Sequence, residues 1–416
     1  MNWRIHILIM TVGAVFFSSC EKNNEKPPLD ARTLELTTEE KEVVNLGNKF
    51  AFNMFEQLSS EVTVNENLFF SPLSVGAALA MTSNGAKGET LQQIKKALNI
   101  EGVSDEVINT YYKKLISDLP HLHPKTTISI ANSIWYRDTF SVLESFLNIN
   151  RDYFRADVSP LDFAGSQAVE HINGWVNEKT KTKIPTILDN IPDDAVMYLI
   201  NAIYFKGAWD QKFDKSLTQQ GDFKKLNEQK VKVDFMQLEH TFNILETGNY
   251  QAVQLPYTDH KFDMVVIKPV GGKTLADLKN TFEDVHAIKG LVDGFQPRSA
   301  IVHLPKFKTS YESSLNTMLQ VLGMSVPFDS RADFTGITAN GGIMIDEVKH
   351  KAFVEVNEEG TEAAAVTVVG VVLTSVPVKP VIKFDEPFLF LIREVSSGLI
   401  LFAGQINDPT VEETKK

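Results

Sequence analysis

Residues 356–377, Val-Asn-Glu-Glu-Gly-Thr-Glu-Ala-Ala-Ala-Val-Thr-Val-Val-Gly-Val-Val-Leu-Thr-Ser-Val-Pro, constrain the fold more than any other stretch of the chain. From Gly360 to Ala365 the residues are small, around a single charge at Glu362; from Val366 to Val376 they are almost wholly β-branched or apolar. Branched side chains stiffen χ1 and favour extended backbone. Two readings are open. One is a buried strand with a glycine-bearing approach. The other is a strand able to pair in a sheet but held outside it, because Lys379-Pro380 closes the run and no second strand follows across a tight turn. Alternation favours the second. In extended backbone Thr361, Ala363, Ala365 and Thr367 share one face, and Glu362, Ala364, Val366 and Val368 the other. The first face is uniformly small and uncharged, so it could slide over a formed core without overpacking it. Glu362 falls on the opposite face, where it is expected to stay in water.

The rest of the chain reads as alternating helical and strand-like stretches. Thr37 or Thr38 is placed to cap a helix, with Glu39 and Glu40 in its first turn; Val43, Val44, Leu46, Phe50, Met54, Phe55 and Leu58 recur at helical spacing. Ser71 before Pro72 is a strong helix start, since proline suits the first helical position. The small residues that follow let this helix cross a crowded interior until Asn84-Gly85-Ala86, and Thr90 is expected to cap another helix through Leu98. Ile128 to Tyr136 is strand-like, and Ala168 to Thr180 has helical spacing. Val196 to Trp209 is β-rich with little alternation, which predicts burial on both faces, with Asn201 as its one interior polar residue. Short strands with polar turns are expected from Val231 to Val270, and a strand start at His303-Leu304-Pro305-Lys306-Phe307. Val348 to Val356 alternates and leads into the stretch described first, and 384–392 with 400–405 form a hairpin-like closing pair.

Together these stretches resemble the serpins. Glu358-Glu359-Gly360-Thr361-Glu362-Ala363-Ala364-Ala365 resembles the hinge of their reactive-centre loop, Asn67 to Met81 their buried second helix, and Asn201 to Trp209 a family strand matched throughout. Asp333-Phe334-Thr335-Gly336-Ile337 and the closing pair match as well, so the resemblance covers roughly Thr37 to Pro409. It implies an α+β fold: a large central mixed β-sheet with surrounding helices, two smaller sheets and an exposed reactive-centre loop at about 358–380, within one domain over 37–410. It also implies an inhibitor that a protease cleaves and that then traps the protease, the freed loop adding a strand to the central sheet. The hinge would comprise Glu358, Gly360, Thr361, Ala363, Ala364 and Ala365. Trp209, with Glu358, would lie where the loop enters, and the helix near 168–180 would lie across the sheet face. Ser71, Ser74, Asn201 and His350 would form a network that controls sheet opening and transfers no proton.

Family spacing puts the cut after the seventeenth residue counted from Glu358, at Thr374-Ser375, while counting back from Phe384 and Pro387 points nearer Val376. The flanking Val372, Leu373 and Val376 offer no basic or aromatic bait. A small apolar pocket accepts such residues, so elastase-like serine proteases are the leading targets, with subtilisin-like proteases next and papain-like cysteine proteases the weaker option. A non-inhibitory serpin acting as a binding or chaperone-like protein is the alternative; bulky, charged or proline residues in the hinge would favour it, and Gly360 to Ala365 carries no proline and only Glu362 as a charge.

Composition closes other routes. The chain of 416 residues carries a net charge of −12, which argues against a nucleic-acid surface and for a self-repelling, monomeric particle. An apolar run, Ile5 to Phe17, followed by Ser18-Ser19-Cys20, resembles a bacterial lipoprotein signal: a signal peptide over 1–19, lipidation at Cys20, and a tether over 20–36. Phe17 departs from the leucine usual there, and an ordinary secretory signal is the other reading. Either predicts export, to the outer membrane or cell surface through the lipid anchor, or by secretion. The single cysteine forms no intramolecular disulfide. No enzyme is expected: His121-Leu122-His123 lacks the further ligands of a metal site, Gly271-Gly272-Lys273 is a turn and not a phosphate loop, and no Gly-x-Ser-x-Gly elbow occurs. No cofactor is expected.

Overall fold

Helix starts follow from local chemistry. Thr37 caps α1 (Thr38–Glu61) in a reciprocal box, its hydroxyl accepting from Glu40 N–H while the Glu40 carboxylate accepts from Thr37 N–H at 2.7 Å. Ser71 caps α2 (Pro72–Ser83) with proline in the first turn, and α2 is buried along almost its whole length. In α3 (Gly88–Ala97) the cap position falls to Lys87, which makes no side-chain cap bond. Thr90 sits inside that helix instead, its hydroxyl accepting from Asp333 N–H at 2.8 Å, so a tertiary contact took the oxygen that local pattern assigned to capping. Among the described residues, the remaining α-helices of one turn or more are α4 (Asp105–Asp118), α5 (Glu144–Phe154), α6 (Gln167–Lys179), α7 (Leu275–Thr281) and α8 (Asn316–Val321). The computed structural model describes residues 32–165, 167–258, 260–281, 291, 294–362 and 379–416.

The strands are, in order, β1 (Leu68–Phe70), β2 (Thr127–Arg137), β3 (Asp157–Leu161), β4 (Met197–Ala208), β5 (Gln219–Lys224), β6 (Lys230–Glu246), β7 (Tyr250–Pro256) and β8 (Phe262–Pro269). They continue with β9 (Gln296–Pro305), β10 (Phe307–Ser314), β11 (Lys349–Asn357), β12 (Gly360–Thr361), β13 (Val381–Lys383), β14 (Phe388–Glu394), β15 (Ile400–Ile406) and β16 (Glu413–Lys415). One sheet is ordered β16-β10-β11-β12-β4-β2-β3 and is mixed, parallel at β10–β16 and β2–β3 and antiparallel elsewhere. The other runs β1-β15-β14-β8-β7-β6-β9-β13, with β5 also on β6. Of the short strands and polar turns expected from Val231 to Val270, turns do separate β6, β7 and β8, but none falls between Val231 and Glu246. β6 is one strand of 17 residues that pairs with β5 at its start, β9 along its middle and β7 at its end, so a single ladder path links all these strands. His303 to Phe307 is a junction and not a start: β9 ends at Pro305, and after Lys306 the chain crosses to the other sheet as β10.

Two apolar cores hold these layers. The main one lies between the sheets and helices; Phe69 of β1 stacks on Phe390 and Phe402 with ring centroids 5.7 and 5.3 Å away. The second is small, with Ile172 and Val176 of α6 packed on Trp135 of β2 and Ile200 of β4. It places α6 across the outer face of the seven-stranded sheet. β4 is buried from Ala202 to Phe205, but its first residues, Met197 to Leu199, are only half-buried.

Candidate functional site

The seven-stranded sheet has a seam. β11 alternates half-buried and buried residues, with His350, Ala352, Val354 and Val356 inward. Past Asn357 the chain turns through Glu358 and Glu359 and comes back as β12, antiparallel to both neighbours: Gly360 and Thr361 face Asn357 and Val356 on β11, and Ala208 and Gly207 on β4. Among the described residues, no ladder pairs β11 with β4 directly; β12 joins them. The pattern of the segment suggested a strand held outside the sheet, and its first two residues are inside it. Sterics explain why these two fit. Gly360 has φ +149°, and a Cβ there would stand 2.1 Å from the Gly207 carbonyl oxygen. Thr361 is 2% exposed, and its Oγ1 lies 2.7 Å from the Tyr257 hydroxyl. Gly207 is equally required, because a Cβ there would meet the Tyr257 ring at 2.7 Å.

Trp209 roofs this point. Its backbone N–H donates to Glu359 O at 3.0 Å, its indole N–H donates to Asn357 O at 2.9 Å, and its ring stacks on Tyr257 with centroids 4.8 Å apart. Phe213 N–H donates to Glu358 O at 3.1 Å. Both turn carboxylates are buried and satisfied. Glu358 accepts from Thr218 Oγ1 at 2.9 Å and pairs with Lys306; Glu359 pairs with Lys212 at 2.8 Å and Lys215 at 3.0 Å. Burial alone would raise the Glu358 carboxyl, but its own N–H, Thr218 and Lys306 outweigh it and hold the group below its ordinary value. The Lys212 hydrogen bond does the same for Glu359. Glu362, expected in water, has a side chain only 5% exposed, beside Lys183 Nζ at 3.4 Å. The connector between α6 and β4 brings that lysine over the seam, which the segment's own alternation could not reveal.

The inner face of the seam carries the polar residues picked out by resemblance, and only some of them meet. His350 Nε2 accepts from Ser71 N–H at 3.2 Å, Ser71 Oγ donates to Leu401 O at 2.7 Å, and Ser74 joins through its backbone N–H, which donates to Ser71 Oγ. Asn201 does not join. It stands opposite Asn132 in the β2–β4 register and donates to Asn132 Oδ1 at 2.7 Å, while its own Oδ1 is buried without a hydrogen-bond partner. The nearest partner across a formed ladder is preferred to one across the seam. Because His350 Nε2 accepts a backbone N–H, the ring is neutral with its proton on Nδ1, and burial pulls its pKa down from 6.5 to about 4.

A pH dependence follows. A base with a depressed folded pKa costs no stability above the unfolded value, and the cost grows as pH falls through the window. For His350 that window is pH 6.5 to about 4, and the loss reaches about 3 kcal/mol at its lower end. Glu358 and Glu359, with depressed values, add their own loss as pH falls below 4.5. We expect the melting temperature to fall between pH 7 and pH 4.5, and His350→Gln to flatten that fall. An unchanged slope in the variant would show that another group controls it.

Hinge residues Ala363, Ala364 and Ala365, the bait residues Val372, Leu373, Thr374, Ser375 and Val376, and Cys20 lie outside the described residues. His121 and His123 sit at a turn, where His123 Nδ1 accepts from Lys125 N–H. Sequence reasoning missed Tyr257 and Lys183, and took in Tyr204 and Gly207 only as part of the family-like strand, without a role at the hinge. Each acts on the hinge from a distant part of the chain, and no local period marks it.

Comparison with known proteins agrees with this geometry. The family model described as serpin (serine protease inhibitor) matches residues 45–409. A leukocyte elastase inhibitor of Xenopus laevis is 33% identical over 374 residues, covering 86% of this chain and 97% of the relative. The structure of a thermophilic serpin, tengpin, in the native state superposes with a TM-score of 0.81 at 33% identity, covering 92% of this chain and 96% of that one. Human thyroxine-binding globulin in complex with its ligand gives a TM-score of 0.81 at 28% identity, covering 89% of this chain and all of the other. The chain therefore belongs to the serpin family.

Proposed function

We propose that the protein inhibits serine proteases as a suicide substrate. The observation that carries this reading is β12, the start of the hinge, already paired between β11 and β4. A target protease attacks the loop: its serine Oγ bonds to the Thr374 carbonyl carbon, the Thr374–Ser375 peptide bond breaks, and the protease's histidine gives its proton to the leaving amine of Ser375. The acyl-enzyme ester on Thr374 ties the protease to a strand that is now free at one end. That strand follows Gly360 and Thr361 into the seam, with Ala363 and Ala365 inward, and draws the protease away before water hydrolyses the ester. Val372, Leu373, Thr374 and Val376 suit an elastase-like pocket, with subtilisin-like and papain-like proteases as further partners. Ser71, Ser74 and His350 set how readily the seam opens, and Trp209 with Glu358 holds its upper end. We further propose export by the 1–19 signal and attachment through lipidated Cys20, the 37–410 domain acting as a monomer without a cofactor.

A ligand-binding reading takes support from the likeness to thyroxine-binding globulin. The small residues from Gly360 to Ala365 favour insertion over it. The test is to incubate the chain from Asp30 onward with an elastase-like protease and run the mixture on a denaturing gel. The expected result is a band at the summed mass that survives boiling, its cleaved fragment fixing the bond. Clean cleavage with no such band across elastase, subtilisin and papain types would overturn the reading.

A further inference from the structure

Lys183 occupies a point that the mechanism above leaves without a role. It follows Lys181 and Thr182, two successive non-glycine residues with φ +52° and +66°, a conformation that is costly for a β-branched residue. The turn is held from within: Thr180 Oγ1 donates to Val176 O at 2.8 Å and accepts from Ile184 N–H at 3.1 Å. It delivers Lys183 Nζ to the outer face of the seam. There the ammonium lies 4.8 Å from the Phe353 ring centroid, 3.7 Å from Glu355 of β11 and 3.4 Å from Glu362. Tyr204 of β4, itself buried, hydrogen-bonds the same Glu362 carboxylate.

We propose that Lys183, backed by Tyr204, is a positioning residue for the loop: it supplies the counter-charge that lets Glu362 seat in the sheet. The proposal rests on the insertion reading above. Glu362 follows Thr361 just past the end of β12, with φ +56°, and its side chain lies on the outer face of the seam beside Lys183. Its N–H already donates to Glu355 O at 3.1 Å. Seating therefore removes the carboxylate from water and sets it beside a second carboxylate, Glu355. Without Lys183 two like charges would face each other under the connector, and a buried charge left unpaired is strongly unfavourable. Full insertion must turn Glu362 from that left-handed conformation into extended backbone while its carboxylate stays beside Glu355, so Lys183 acts as the strand moves past this point.

The test cuts the loop of the whole chain with a trace of protease and follows the appearance of a heat-stable form over time. Lys183→Met is expected to slow that step at least ~10-fold. Lys183→Arg keeps the cation, and Lys183→Met with Glu362→Gln removes the need for one, so both are expected within about threefold of the wild type. Should Lys183→Met fail to fold, Glu362→Lys leaves the connector intact; it is expected to seat at least ~10-fold more slowly than Glu362→Gln. Equal rates for Lys183→Met and wild type, a double variant as slow as the single, or equal rates for the two Glu362 variants would each overturn the proposal. A wild-type chain that gains no heat stability on cutting would instead remove the insertion reading, and this proposal with it.

Discussion

Thr361→Arg is expected to turn the inhibitor into a substrate: the loop is cut at the wild-type rate, and the boil-resistant complex with the protease falls at least ~100-fold. The reason is local. Thr361 faces inward between Val356 and Gly207, 2% exposed, with its hydroxyl on Tyr257. An arginine there would bury an unpaired guanidinium, a cost of at least about 3 kcal/mol against insertion, which is roughly a hundredfold in how the acyl-enzyme partitions between trapping and hydrolysis. The native fold should survive, because β12 is only two residues long and can leave the seam. Thr361→Ser is the control and should trap normally. Partition is measured as moles of inhibitor consumed per mole of protease inactivated. A Thr361→Arg protein that still traps one for one would mean that this residue need not enter the sheet.

Cutting the loop should also raise the melting temperature of the protein by more than about 10 °C. The freed strand would pair on both sides, with β11 and with β4, where β12 now makes the link. If each of about ten added residues contributes a net ~1 kcal/mol through its two ladders and buried side chain, the gain rivals the whole stability of an ordinary domain. For a chain of this length the unfolding entropy converts that to about 10 °C or more. Scanning calorimetry of cut and uncut protein checks it. A cut chain that melts at or below the uncut temperature would show that the loop stays out.

Much of this was legible from residues alone. Ser71-Pro72 starts α2 where expected, the alternation of β11 is visible in Val348 to Val356, and Gly360 and Thr361 stand where small size is needed. These are signals of period, capping and volume, which a local stretch carries within itself. What escaped depends on partners far away in the chain. Thr90 looks like a cap until Asp333 takes its oxygen. Asn201 looks like a neighbour of His350 until the β2–β4 register sets it against Asn132. Glu362 looks solvated until the turn at Lys181 and Thr182 sets Lys183 above it. The length of β6 was hidden because its polar residues, read as turns, lie on a half-exposed strand that switches partners along its length.

The central claim is that the seam between β4 and β11 receives the cut loop. Peptide-resolved hydrogen exchange before and after a single loop cut tests it most directly, following residues 363–373 together with β4 and β11. Insertion predicts that all three segments slow at least ~100-fold on cutting, as local opening gives way to a continuous ladder. Exchange of residues 363–373 that the cut leaves unchanged, with β4 and β11 unchanged too, would contradict it.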